Sequence, residues 1–123
     1  MLQIKVPDNS YSRQVVALDN NIVTLYFKYN IRDRVEGAWY MDIFDGDDNR
    51  EIISGIKIVP NQSLTGRYIL EDLREGNIWC LRVKNNYSRI DRNNLGDEKA
   101  YSLYWISSSE EQEIGLDGVI QLQ

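Results

Sequence analysis

The stretch that decides the fold is Val15 to Asp45, VVALDNNIVTLYFKYNIRDRVEGAWYMDIFD, three apolar alternations separated by Asp19-Asn20-Asn21 and by a charged loop that ends in Gly37. In the middle segment Val23, Leu25, Phe27 and Tyr29 share one phase of a two-residue period, and Thr24, Tyr26 and Lys28 share the other. Trp39, Met41 and Ile43 repeat that spacing in the third segment. A two-residue period with turn residues between the runs is the pattern of consecutive antiparallel strands.

Working outward, Leu2, Ile4 and Val6 alternate until Pro7-Asp8-Asn9-Ser10 stops them, and Tyr11 to Leu18 forms the next run. After Asp45, a polar turn leads into Ile52 to Val59, where Gly55 marks a bulge and Pro60 ends the pairing because it has no amide donor. Asn77 to Lys84 places Trp79, Leu81 and Val83 on one phase and Ile78, Cys80 and Arg82 on the other. Tyr101 to Ile106 is the closing strand. NQSLTGRYILEDLREG is the least strand-like stretch, and Ile69, Leu70 and Leu73 are spaced for one turn of helix up to Glu75. The expected fold is therefore all-β: a single small β-barrel or β-sandwich of about seven antiparallel strands, with at most one short helix.

The domain is expected over residues 1–106, followed by an acidic linker and an apolar extension over 107–123. A chain of 123 residues is long enough to bury one core without metals or disulfides. NNYSRIDRNNLGDEKA, rich in Asn, Asp and Arg, reads as a long solvated connection. Trp39, Trp79 and Trp105 each share a strand phase with aliphatic residues, which predicts core positions. Tyr26, Tyr40 and Tyr104 lie on the opposite phase and are candidates for a protein interface. In the extension, Ile114, Leu116, Val119, Ile120 and Leu122 follow a serine-rich acidic tether and need a surface to bury against, by adding a strand to their own sheet or to a neighbour's.

Composition narrows the chemistry. The absence of histidine removes the commonest general acid-base group and zinc ligand, and neither a phosphate loop nor a nucleophile elbow occurs. Cys80 is the only cysteine and reads as a buried structural thiol. Asp45, Asp47 and Asn49 match the start of a calcium loop, but Arg50 stands where the turn requires glycine and Ile56 where a carboxylate belongs. A hairpin turn is the better reading. No catalytic, metal or cofactor site is expected. Of 19 acidic residues, Glu110, Glu111, Glu113 and Asp117 lie in the tail, so the body nearly balances its 14 basic residues and lacks the footprint of specific nucleic-acid binding. No apolar run approaches the ~20 residues of a membrane span, and the N-terminus alternates where a signal peptide would be continuously apolar. On residues alone the outward tyrosines also suit a binding module for carbohydrate or single-stranded nucleic acid.

The order of four words adds to this reading: IKVPDNSYSRQVVALDNNIVTLYFKYN, then GAWYMDIFDGD, then SGIKIVPNQSL with RYI, and last NNLGDEKAYSLYWI. Across residues 2–106 the chain resembles the plug proteins at the centre of contractile-tail phage baseplates. The resemblance implies a virion structural protein and no enzyme, assembled in the host cytoplasm into the tail baseplate in several copies. Its implied partners are hub and tail tube proteins, with no membrane, and its implied role is to aid baseplate assembly. The tail after Ile106 departs from the family pattern, and nothing is carried over to it.

Overall fold

The computed structural model describes residues 1–31, 37–47, 50–68, 70, 73–84 and 89–113. Among them eight strands form two antiparallel four-stranded sheets, and one short helix follows. The strands are β1 (Leu2–Ile4), β2 (Tyr11–Leu18), β3 (Asn21–Asn30), β4 (Ala38–Asp45), β5 (Glu51–Lys57), β6 (Gln62–Ser63), β7 (Gly76–Arg82) and β8 (Tyr101–Ser107). The helix is α1 (Ser108–Glu113). One sheet runs β2-β3-β4-β5 in chain order and the other β1-β8-β7-β6, and the sheets do not close into a barrel. Of the two all-β architectures left open by the sequence, the sandwich is the one formed.

The opening stretch forms the β2-β3-β4 meander that its period implies. Leu18 opposes Asn21 across a two-residue turn in which Asp19 takes φ 56°, the left-handed conformation that such hairpins require. Val23, Leu25 and Phe27 of β3 and Trp39, Met41 and Ile43 of β4 face the other sheet, where they meet Ile4, Ile78, Cys80, Leu103 and Trp105 in one buried core. Gly55 marks the bulge: its φ is 75°, its N–H donates to Asp42 Oδ1 at 2.8 Å, and the β4–β5 register shifts beside it. The indole N–H of Trp105 is satisfied by Asp19 Oδ2 at 2.8 Å, which ties the first hairpin to the opposite sheet.

Three expectations differ from the structure. Trp79 is buried, but not in the inter-sheet core. On β7 it is Ile78 and Cys80 that face inward, while Trp79 lies on the outer side with Ile106, because α1 covers that side and gives it a second small apolar cluster. The connection before β8 is not simply solvated. Leu95 and Ala100 are buried, Trp39 donates its indole N–H to Asp91 O at 3.0 Å, and the Arg92 guanidinium lies 5.5 Å from the Trp39 ring centroid while holding Asp8 at 3.0 Å. Residues 89–100 thus clamp the Pro7–Ser10 turn to the core; residues 85–88 lie outside the described part.

A helix, finally, stands at Ser108–Glu113, within the stretch read as linker, whereas the turn of helix expected at Ile69 to Glu75 falls partly outside the described residues. Of that earlier segment Ile69, Glu71 and Asp72 lie outside the described residues, and Leu73 N donates to Leu70 O at 3.0 Å. The physical reason for α1 is a reciprocal cap. Ser107 N donates to Glu110 Oε1 at 3.1 Å, and Glu110 N donates back to Ser107 Oγ at 3.4 Å. This Ser-x-x-Glu arrangement satisfies amides that a helix start leaves without partners.

Candidate interaction faces

Alternation gives each sheet an outer side, and the two sides are finished differently. On the β2–β5 sheet the outer residues are Tyr11, Arg13, Val15 and Ala17 of β2, Ile22, Thr24, Tyr26 and Lys28 of β3, and Tyr40, Asp42 and Phe44 of β4. Tyr26 is half-buried at its centre, stacked on Tyr11 with ring centroids 6.1 Å apart and meeting Phe44 edge-on at 5.5 Å. Tyr11, Val15 and Ile22 remain 61, 49 and 60 % exposed, so this is an apolar, aromatic surface open to a partner. Tyr40 stands next to Lys28 on β3 and Lys57 on β5. The Lys28 ammonium meets Asp42 Oδ2 at 2.6 Å, and that hydrogen bond raises the lysine above its ordinary pKa. Asp42 itself is nearly buried, with its second oxygen taken by the Gly55 amide, so the pair is part of the bulge and stands directly beside Tyr26 and Tyr40.

On the other sheet, the outer side of β7 and β8 carries Trp79, Leu81, Tyr104 and Ile106, and here α1 is the cover. Trp79 donates its indole N–H to Glu111 Oε2 at 2.7 Å, and Asn77 Nδ2 donates to the same carboxylate at 3.2 and 3.3 Å. Asn77 in turn accepts from Thr65 Oγ1 at 2.9 Å, and that hydroxyl accepts from Ile78 N at 3.1 Å. Glu111 therefore closes a buried polar chain over an apolar patch. Glu110, one residue earlier, faces the other way and pairs with the N-terminal amine. That contact, with the bonds from Ser107, lowers its pKa to about 2.

Of the residues expected at an interface, Tyr26 and Tyr40 share one outer face, whereas Tyr104 lies on the opposite side of the sandwich, half-buried next to Trp79. The fold does not bring the three together. Ile114, Leu116, Val119, Ile120 and Leu122 lie outside the described residues. Sequence reasoning missed Glu111, which alternation gives no means of finding; the one readable signal was the Ser107–Glu110 cap that builds the helix on which it sits. Among the described residues no group of three or more His, Cys, Asp or Glu is placed to hold a metal ion. The Asp45 turn joins β4 to β5, with Asp45 N donating to Arg50 O at 3.0 Å, as a hairpin would. Cys80 is buried among apolar side chains, which pushes its thiol up to about 12, far from a reactive thiolate.

Compared with known proteins, residues 1–109 match the family described as Cyanophage baseplate Pam3 plug gp18. The chain belongs to that family. No curated protein matches it. The matched span contains all eight strands and ends at Ser109, inside α1, so the plug-family region includes Trp79 and Ile106 while Glu111, which seals them, lies beyond it.

Proposed function

We propose that the chain is the plug at the centre of a contractile phage tail baseplate, in contact with hub and tube proteins and aiding assembly there. The observation that carries this reading is the family match over the whole two-sheet domain. Membership in a baseplate plug family supports a structural, non-enzymatic role in the virion tail baseplate alongside other virion proteins. The finer assignment draws on the surfaces. The open face around Tyr26 and Tyr40 has the aromatic content of an interface centre, with Arg13 and the Lys28–Asp42 pair supplying charge beside the rings. Tyr104 marks a second contact region on the far side. Residues 114–122 act as an assembly strap that docks by strand addition, and several copies per virion, assembled in the host cytoplasm, gain from multivalency.

Cryo-EM of the intact particle tests the placement: density for this fold at the tail axis, against the hub, is expected, and its absence from the axis refutes the plug reading. The strap is tested by removing residues 114–123, leaving α1 in place because it covers Trp79. The melting temperature should hold while incorporation into the baseplate falls.

A further inference from the structure

The outer side of the β2–β5 sheet is not flat. On β5 the register passes from Ile53, opposite Ile43, to Ile56, opposite Met41, so Ser54 and Gly55 together face Asp42. Two residues against one is the arrangement of a bulge, which bends its strand locally. A groove of about 550 Å³ opens there between β3, β4 and β5, the size of an ordinary small-ligand site. Its floor is the Lys28–Asp42 pair, fixed further because Asp42 also accepts from the Gly55 amide at 2.8 Å. Tyr40 and Phe44 stand on either side of Asp42, four residues apart on one strand and so ~13 Å from each other. Tyr26 holds the Phe44 ring edge-on at 5.5 Å, so a ligand need not order it. Glu51, directly opposite Phe44, completes the lining with Asn30 and Ser54. Among the described residues, nothing bonds the side chains of Asn30 and Ser54 or the hydroxyl of Tyr40.

We propose that this groove binds a short neutral saccharide, a function beyond the plug assignment. The lining decides the ligand class. Asp42 compensates Lys28, and Glu51 adds a further carboxylate, so the groove is net negative and disfavours a phosphate, a sulfate or a nucleic acid. A metal ion lacks ligands, because among the described residues no three of His, Cys, Asp or Glu are grouped to hold one. An apolar chain laid in the groove would cover the Asn30 amide and the Ser54 and Tyr40 hydroxyls without giving them partners, and each such loss is costly. A saccharide meets all of them. Its hydroxyls both donate and accept, which suits those three groups, the Glu51 carboxylate and the remaining N–H donors of Lys28. Its C–H faces pack on the Tyr40 and Phe44 rings, whose apolar surface would otherwise stay wet.

The test applies the purified full chain to an array of neutral, sialylated and sulfated oligosaccharides and titrates the hits by calorimetry and amide NMR. Neutral oligosaccharides should bind with dissociation constants below about 1 mM, and the Gly55 amide, on the groove floor, should be among the first signals to shift. Tyr40→Ala should weaken binding by about ten-fold or more. Ser54→Trp fills the groove from an exposed position and should abolish binding, whereas Lys5→Ala, exposed beyond β1 on the other sheet, should bind like the parent. Failure of every neutral oligosaccharide to bind at about 1 mM overturns the proposal, as does a preference for sialylated or sulfated ligands. So does a Ser54→Trp protein that binds like the parent, which decides the matter even if Tyr40→Ala fails to fold. Saccharide binding by the purified protein is independent of where the chain sits in the virion, so this outcome and that of the plug reading are distinguishable.

Discussion

Replacing Glu111 by Ala tests whether α1 is part of the folded domain. The substitution removes the acceptor of the Trp79 indole N–H, a 2.7 Å bond to a carboxylate, and of the longer pair from Asn77. Trp79 is 2 % exposed, so water cannot replace the lost acceptor without opening the cluster. A buried donor left without a partner costs about 1–3 kcal/mol, and bonds to charged groups lie toward the top of that range. The better helix propensity of Ala returns only a few tenths of a kcal/mol. A net loss of about 2 kcal/mol follows, which for a domain of this size lowers the melting temperature by roughly 6–10 °C. Glu111→Gln keeps a carbonyl acceptor in place and should lose about half as much. Thermal unfolding by circular dichroism, with indole fluorescence as a second probe, reads the effect. If Glu111→Ala melts within about a degree of the parent, the polar chain over Trp79 contributes nothing and α1 is not a necessary cover.

Three further outcomes are expected. Trp105→Ala, which empties a core position and strands Asp19, should cost about 3–5 kcal/mol in denaturant unfolding; a parent-like midpoint would refute the core assignment. Gly76→Ala should destabilise by about 1–3 kcal/mol, because its Cβ would lie 2.4 Å from Ile106 O and 2.8 Å from Ser107 Cα, backbone atoms that cannot step aside; an unchanged melt would show that β7 and β8 yield at that point. Cys80, with its thiol pushed up to about 12 by burial, should resist alkylation at neutral pH until the domain unfolds, and rapid labelling of the native protein would contradict its place in the core.

Much of the architecture was legible in the chain alone because a strand's period is local. Val23 to Tyr29 and Trp39 to Ile43 declare their inward phase without knowing what they pack against, and Gly55 and Pro60 punctuate β5 by backbone chemistry that belongs to single residues. The order of those words also carried the family. Tertiary structure alone decided which side of β7 faces the core, since Trp79 and Ile78 both sit in apolar alternations and only the cover supplied by α1 makes the outer side dry. It also decided that Tyr104 stands on the far side of the sandwich from Tyr26 and Tyr40. Identical phase signals on strands of different sheets say nothing about which way each sheet turns its back. Glu111, finally, acquires its role from an indole 32 positions earlier in the chain, and a contact of that kind exists only once the sheet and helix have been brought together.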